Sequence, residues 1–199
     1  MSRHISRLQE GTLRIIAGKY RSRPLASLPG LDIRPTSDKL RETLFNVLCA
    51  GNPRTLEDST WFDLYAGTGA VGIEALSRGA AQVNFAESSP KAAALIQKNL
   101  RTLGINHGVQ ILRTDVASAL RSWEPTQSPA EFFFLDPPYR LETEYARTMF
   151  ILSQSRLVTR QTVIIAEHTK KFEPGIEFGE LRRYRKLEQG DAALSFYRK

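Results

Sequence analysis

From residue 60 onward, short apolar runs alternate with segments whose apolar positions recur every three or four residues. TWFDL (60–64), QVNFAE (82–87), Val109–Arg113, FFFLD (132–136) and TVIIAE (162–167) are brief, apolar and bounded by turn residues, which predicts five strands. Between them, Val71–Arg78, 116–122 and Tyr145–Ser155 predict helices. A further helix opens at Ser89-Pro90, an N-cap followed by a first-turn proline, and runs to Leu103 with Ala92, Leu95, Ile96, Leu100 and Leu103 inward. Two more strands, 179–187 and 192–198, flank Gly190-Asp191 and predict an antiparallel closing pair. Strand and helix in strict alternation, with apolar strands, predict an α/β fold: a Rossmann-like, doubly wound, mostly parallel seven-stranded sheet covered on both faces.

Before residue 60 the pattern is different. Leu13–Ala17 and Tyr20–Leu25 read as a hairpin around a two-residue Gly18-Lys19 turn, and 26–36 as a loop broken by Pro29, Gly30 and Pro35. A helix is expected from Ser37-Asp38, with Leu40, Leu44, Val47 and Leu48 at helical spacing. Residues 1–12 are polar and are expected to form a flexible tail. The predicted organisation is thus a tail, a hairpin-plus-helix extension over 13–54, and an α/β domain over 55–199.

Charge sharpens this division. Residues 1–54 hold ten Lys/Arg against four Asp/Glu, whereas 55–199 hold eighteen against seventeen, so nearly all of the net +7 lies in the first quarter of the chain. A basic extension on a nearly neutral body suggests a polyanionic partner, with a solvated basic surface as the plainer alternative. Arg14, Lys19, Arg21, Arg23, Lys39 and Arg41 are the candidate phosphate contacts. A single cysteine (Cys49) and three scattered histidines exclude a disulfide framework and give no metal-ligand spacing, so no metal is expected. No apolar run reaches a bilayer-spanning length and the start does not read as a secretory signal, so a cytoplasmic location is expected.

The cofactor signal lies in Asp63-Leu-Tyr-Ala-Gly67-Thr-Gly69-Ala-Val-Gly72, a strand end, a Gly-rich turn and a helix start. Such a turn lets backbone approach a ligand closely at the carboxyl end of a parallel sheet. Glu87, twenty residues after Gly67, stands where a carboxylate can take two ribose hydroxyls. The same glycines fit a dinucleotide fingerprint. Asp63 beside a pyrophosphate would be repulsive, however, and suits a cationic or amine-bearing ligand better. Asp115 and its neighbouring amides, after the third strand, could read an adenine edge.

The candidate chemistry lies in Asp136-Pro137-Pro138-Tyr139. Two prolines end the apolar strand and stiffen the loop. Asp136 and the Pro137 carbonyl could then accept the two N–H bonds of a planar exocyclic amine while Tyr139 stacks on its ring. Positioning and fixed dipoles would supply most of the acceleration.

DLYAGTGAVG, FAESSP, Asp115 and DPPY together resemble the class I S-adenosylmethionine-dependent amino-methyltransferases. LRIIAGKYRSRPL, IRPTSDKLRETLFNVL and IIAEH narrow the resemblance to the RsmD-type family of bacterial small-subunit (16S) ribosomal RNA guanine-N2 methyltransferases, from Leu13 to Lys199. The resemblance implies S-adenosylmethionine as cofactor, with Asp63, Gly67 and Gly69 around its methionine part, Glu87 at the ribose, and Asp115 with Val116 at the adenine. Tyr65 and Thr36 also join the cofactor side. Asp136, Pro137, Pro138 and Tyr139 would hold the target amine. It further implies 16S rRNA within a small-subunit particle as partner, and nothing requires more than a monomer. An adenine-N6 DNA methyltransferase, a protein-glutamine methyltransferase and a non-catalytic RNA-binding module compete with this reading. His168 is expected to be a hydrogen-bonded structural residue, Cys49, Trp61 and Trp123 packing residues, and Arg182–Lys186 a solvated strand face.

Overall fold

The computed structural model describes residues 13–27, 37–138 and 140–199. The tail expected over 1–12 and the candidate residues Thr36 and Tyr139 lie outside them. Eight strands form one sheet in the order β3-β2-β1-β4-β5-β8-β7-β6. β1 (Thr60–Leu64), β2 (Gln82–Ala86), β3 (Val109–Leu112), β4 (Phe132–Leu135) and β5 (Val163–Thr169) are parallel. β8 (Ala192–Arg198) pairs antiparallel with β5 and with β7 (Leu181–Gln189), and the two-residue β6 (Glu177–Phe178) edges β7. The expected seven strands are therefore eight, because β6 is too short to leave a pattern. The chain winds from β1 outward to β3, then returns to place β4 on the other side of β1. That reversal of strand order makes the carboxyl ends of β1 and β4 the natural ligand crevice.

Two apolar layers sandwich the sheet. On one face α1 (Asp38–Leu48), α2 (Ala70–Ser77) and α3 (Pro90–Leu103) bury Leu44, Ile73 and Ile96 against Trp61, Phe85 and Phe134. On the other, α4 (Val116–Trp123) and α5 (Glu142–Gln154) bury Leu120, Trp123 and Met149 against Phe62, Phe133 and Ile164. The helix starts follow their residues: Ser37, Ser89 and Asp115 each accept a backbone amide of the first turn, at Leu40, Ala92 and Ser118. Gly72 is required by packing, since a Cβ there would stand 2.4 Å from the Phe85 ring of β2.

The N-terminal segment belongs to the same core. Leu13, Ile15 and Leu25 are buried with the α1–α3 layer. The segment folds back on itself through Ile15 N to Arg23 O (3.0 Å) and Leu25 N to Leu13 O (2.8 Å). Its turn is wider than the expected two residues. It spans Gly18 to Arg23, closed by Arg21 N to Gly18 O and Arg23 N to Tyr20 O, with a single bridge at Arg14 and Pro24. Docking explains this: Gly18 lies so close to the Ser77 carbonyl that a Cβ would sit 1.8 Å from it, while Lys19 N donates to that carbonyl at 2.7 Å. The end of α2, rather than strand pairing, shapes the turn.

Candidate active site

β1 and β4 run side by side, with Leu64 opposite Leu135, so their following loops leave the sheet together. The Asp136 amide continues the ladder to the Leu64 carbonyl at 3.4 Å. The Gly-rich turn and the Asp136-Pro137-Pro138 loop are thus neighbours at the carboxyl end of the sheet. Asp136 is half-buried, Pro137 buried and Pro138 exposed.

The turn after β1 is built by unusual backbone and two carboxylates. Tyr65, Gly67 and Gly69 have φ of +63°, +55° and +75°. Left-handed backbone at three of five residues coils the chain tightly before α2. Asp63, only 2% exposed, accepts the Gly72 amide at 2.9 Å and so ties the end of β1 to the first turn of α2. Burial pushes its carboxyl up to about 8; the Gly72 hydrogen bond opposes this and the nearby Glu87 charge adds to it. Glu87 spans the turn from β2: one oxygen accepts Gly67 N at 2.8 Å and the other Ser89 N at 2.7 Å. Burial raises its pKa as well, against the pull of those amides. A carboxylate has about four lone-pair sites, so the amides of Gly67, Ser88 and Ser89 still leave Glu87 able to accept from a ligand hydroxyl.

The remaining candidates on this side are distributed less tightly. Tyr65 sends its hydroxyl to α5, donating to Glu144 at 3.0 Å and lying 2.8 Å from the Thr148 hydroxyl. Burial raises its pKa. Asp115 is exposed and accepts Ser118 N at 3.0 Å, and its bonds to Ser118 hold its pKa below the usual range. Val116 begins α4 and is buried.

The candidate phosphate contacts separate into three kinds. Lys19, Arg21, Arg23 and Lys39 are exposed. Arg14 is exposed but its Nε lies 3.3 Å from Asp38. Arg41 is a correction: it is fully buried, paired with Asp38 at 2.7 Å and donating to the Arg14 carbonyl at 2.6 Å. Its place in α1 explains this, because Arg41, Leu44, Phe45 and Leu48 share one helical face, and that face points inward. Arg41 fastens the extension and cannot reach a phosphate.

Two residues absent from the sequence reading join the extension to the body. Glu74, fully buried in α2, accepts Ile16 N (2.7 Å), Ala17 N (3.0 Å) and Arg78 Nε (2.7 Å). Asn99, 2% exposed in α3, accepts Ala26 N and donates to the carbonyls of Ala26 and of Thr68 in the Gly-rich turn. Both were detectable as polar residues at inward helical positions. His168 is structural as expected, buried between the Thr169 carbonyl (2.8 Å) and the Ser195 hydroxyl (2.9 Å), with burial lowering its pKa. Trp61 and Trp123 are fully buried, and Cys49 caps α1. In the second basic cluster Arg182, Arg183 and Lys186 are paired with Glu177, Glu173 and Glu188, and Arg185 is exposed.

The family model for Conserved hypothetical protein 95 matches residues 13–198. The chain belongs to this family. It is the RsmD family, as the motifs suggested. Among members of the RsmD family, YlbH of Bacillus subtilis, named as a candidate rRNA methyltransferase, is 32% identical over 94% of this chain and 99% of its own. Ribosomal RNA small subunit methyltransferase D of Haemophilus influenzae is 33% identical over 83% of this chain and 82% of its own. The solved structure of yhhF from Escherichia coli covers 95% of this chain and 98% of its own, at 28% identity and a TM-score of 0.78. SMU.776, a candidate methyltransferase solved with SAH, covers 80% of this chain and 49% of its own at 13% identity and a TM-score of 0.63, a likeness of fold. The RsmD-family chain thus has the Rossmann-like class I methyltransferase fold. No helix among the described residues is long and apolar enough to cross a membrane.

Proposed function

We propose that this chain transfers a methyl group from S-adenosylmethionine to the exocyclic N2 amine of a specific guanine in small-subunit (16S) ribosomal RNA. The carrying observation is the shared exit of the Gly-rich turn and the Asp136-Pro137-Pro138 loop from adjacent parallel strands. The names of its relatives support ribosomal RNA as substrate, and the SAH bound by a protein of the same fold supports the donor. The proposed setting is the cytoplasm, with a monomer acting on the RNA in a small-subunit particle.

The residues of the turn fit that donor. Asp63 is a buried carboxyl with an elevated pKa, which a positively charged ligand would relieve and a pyrophosphate would aggravate. Glu87 retains acceptor capacity for ribose hydroxyls, and Asp115 with Val116 takes the adenine. Gly67 and Gly69 offer backbone close to the methionine part, with Tyr65 and Thr36 completing that side. When bound, the cofactor supplies an electrophilic methyl group on a sulfonium. Asp136 and the Pro137 carbonyl accept the N–H bonds of the amine, Pro138 stiffens their loop, and Tyr139 stacks on the base. Orientation by fixed acceptors is the main catalytic device. A paired guanine cannot reach such a loop, so the target base is unpaired or extruded.

The test is to incubate the protein with tritiated S-adenosylmethionine and small-subunit RNA or particles from a strain lacking it, then map the label. Label on guanine N2 is expected; label on adenine, on DNA or on protein overturns the reading. Asp136→Ala is expected to lower transfer by about 100-fold or more while leaving cofactor affinity unchanged. Near-normal turnover in that variant would remove the loop from the chemistry.

A further inference from the structure

α3 offers a cationic row that the phosphate contacts considered so far do not include. Lys91, Lys98 and Arg101 are exposed on its outer face, and no Asp or Glu occurs between Pro90 and Leu103. None of the three forms an ion pair among the described residues. Helix stability does not account for Lys91, which stands in the first turn, where the helix dipole disfavours a cation. The row has direction. Lys91 lies four residues after Glu87, at the site end of the sheet; Arg101 lies ten residues further, roughly 15 Å along the helix. There α3 meets the N-terminal hairpin, since Arg23 donates to the Thr102 carbonyl at 3.4 Å and Asn99 holds Ala26.

We propose that Lys91, Lys98 and Arg101 join Arg21 and Arg23 in one continuous RNA-backbone track, leading from the hairpin along α3 to the cofactor side of the active site. The inference rests on the RNA reading above and extends it to a helix outside the extension. Its partner chemistry is a phosphodiester backbone. The cations are spaced along a line, form no ion pair among the described residues, and are carried on a rigid, well-anchored element, which suits contacts that position RNA without reading sequence.

The test compares wild type with the Lys91→Gln, Lys98→Gln, Arg101→Gln triple variant. A matched control removes three exposed cations elsewhere, at Arg160, Lys171 and Arg185. Binding to 16S rRNA is titrated across salt concentration, with cofactor affinity and melting temperature measured in parallel. The α3 variant is expected to bind RNA roughly tenfold or more weakly and to lose about two units of salt slope. Its cofactor affinity and melting temperature should stay at wild-type values, and the control should lose less than half as much slope. Equal slopes in wild type and the α3 variant, or equal losses in variant and control, overturn the track. If wild type itself neither binds nor methylates the RNA, the functional reading fails instead, which keeps the two results distinct.

Discussion

Asp63 carries a proton that an ordinary carboxylate would have lost. Folded, it binds protons up to about pH 8, whereas unfolded it releases them near the ordinary aspartate value of 3.8. Between those limits the folded state holds more protons, so this group makes the ligand-free protein less stable as pH rises from 4 to 8. Asp63→Asn keeps an acceptor for the Gly72 amide and should abolish that component. The melting temperature of the variant relative to wild type should therefore climb across that window. A difference independent of pH would contradict the assignment. A cationic ligand should reverse the situation by favouring the ionised form, so S-adenosylmethionine affinity should rise with pH toward about 8, with proton release on binding. Calorimetry in buffers of different ionisation enthalpy measures that release, and Asp63→Asn should lose it. Asp63, Glu87 and Asp136 were legible as residues because strand ends and turns expose their spacing. The electrostatic state of Asp63 and Glu87 was not, because it depends on burial and on amides of the turn, of α2 and of the start of α3.

At the scale of elements, α2 acts as the dock for the N-terminal segment. Glu74 takes two amides of that segment and the Arg78 guanidinium, and Ser77 receives Lys19 and Tyr20. Glu74→Ala strips a buried charge network of its acceptor and should destabilise the protein by about 3 kcal/mol. Gly18→Ala should loosen the same joint through its collision with the Ser77 carbonyl. In both variants the amides of Ile16, Ala17, Lys19 and Tyr20 should exchange with solvent faster than those of β1 and β4. Uniform acceleration would mean that the segment is no separate docking unit. Strands and helices were readable to within a few residues, since apolar runs and caps such as Ser89-Pro90 are local. Arg41 and Glu74 were misplaced or missed for the opposite reason: a charged residue on an inward helical face is decided by partners 27 and 58 residues away.

Over the whole molecule, the hairpin turn docks at the C-terminal end of α2, while the Gly-rich turn starts that helix. Eight helical residues separate them by roughly 12 Å. A single RNA strand that reaches the Gly-rich turn is long enough to engage the hairpin turn as well. Short oligonucleotides carrying the target guanine should show kcat/KM well below that of the full RNA, and adding salt should narrow the gap by weakening only the larger substrate. If full-length and short substrates perform equally at low salt, the basic extension has no part in binding.

The anchoring of Ala26 by Asn99, across 73 residues, also bears on how the chain is made. At synthesis rates of 5–20 residues per second, the hairpin emerges roughly 4–15 s before its partner on α3 exists. During that interval the Ala26 end of a cationic segment waits unanchored beside the translating ribosome, itself a body of RNA. The Asn99–Ala26 joint should therefore close only once α3 has emerged, while the chain is still attached to that ribosome, so the basic segment should meet ribosomal RNA before its own fold is complete.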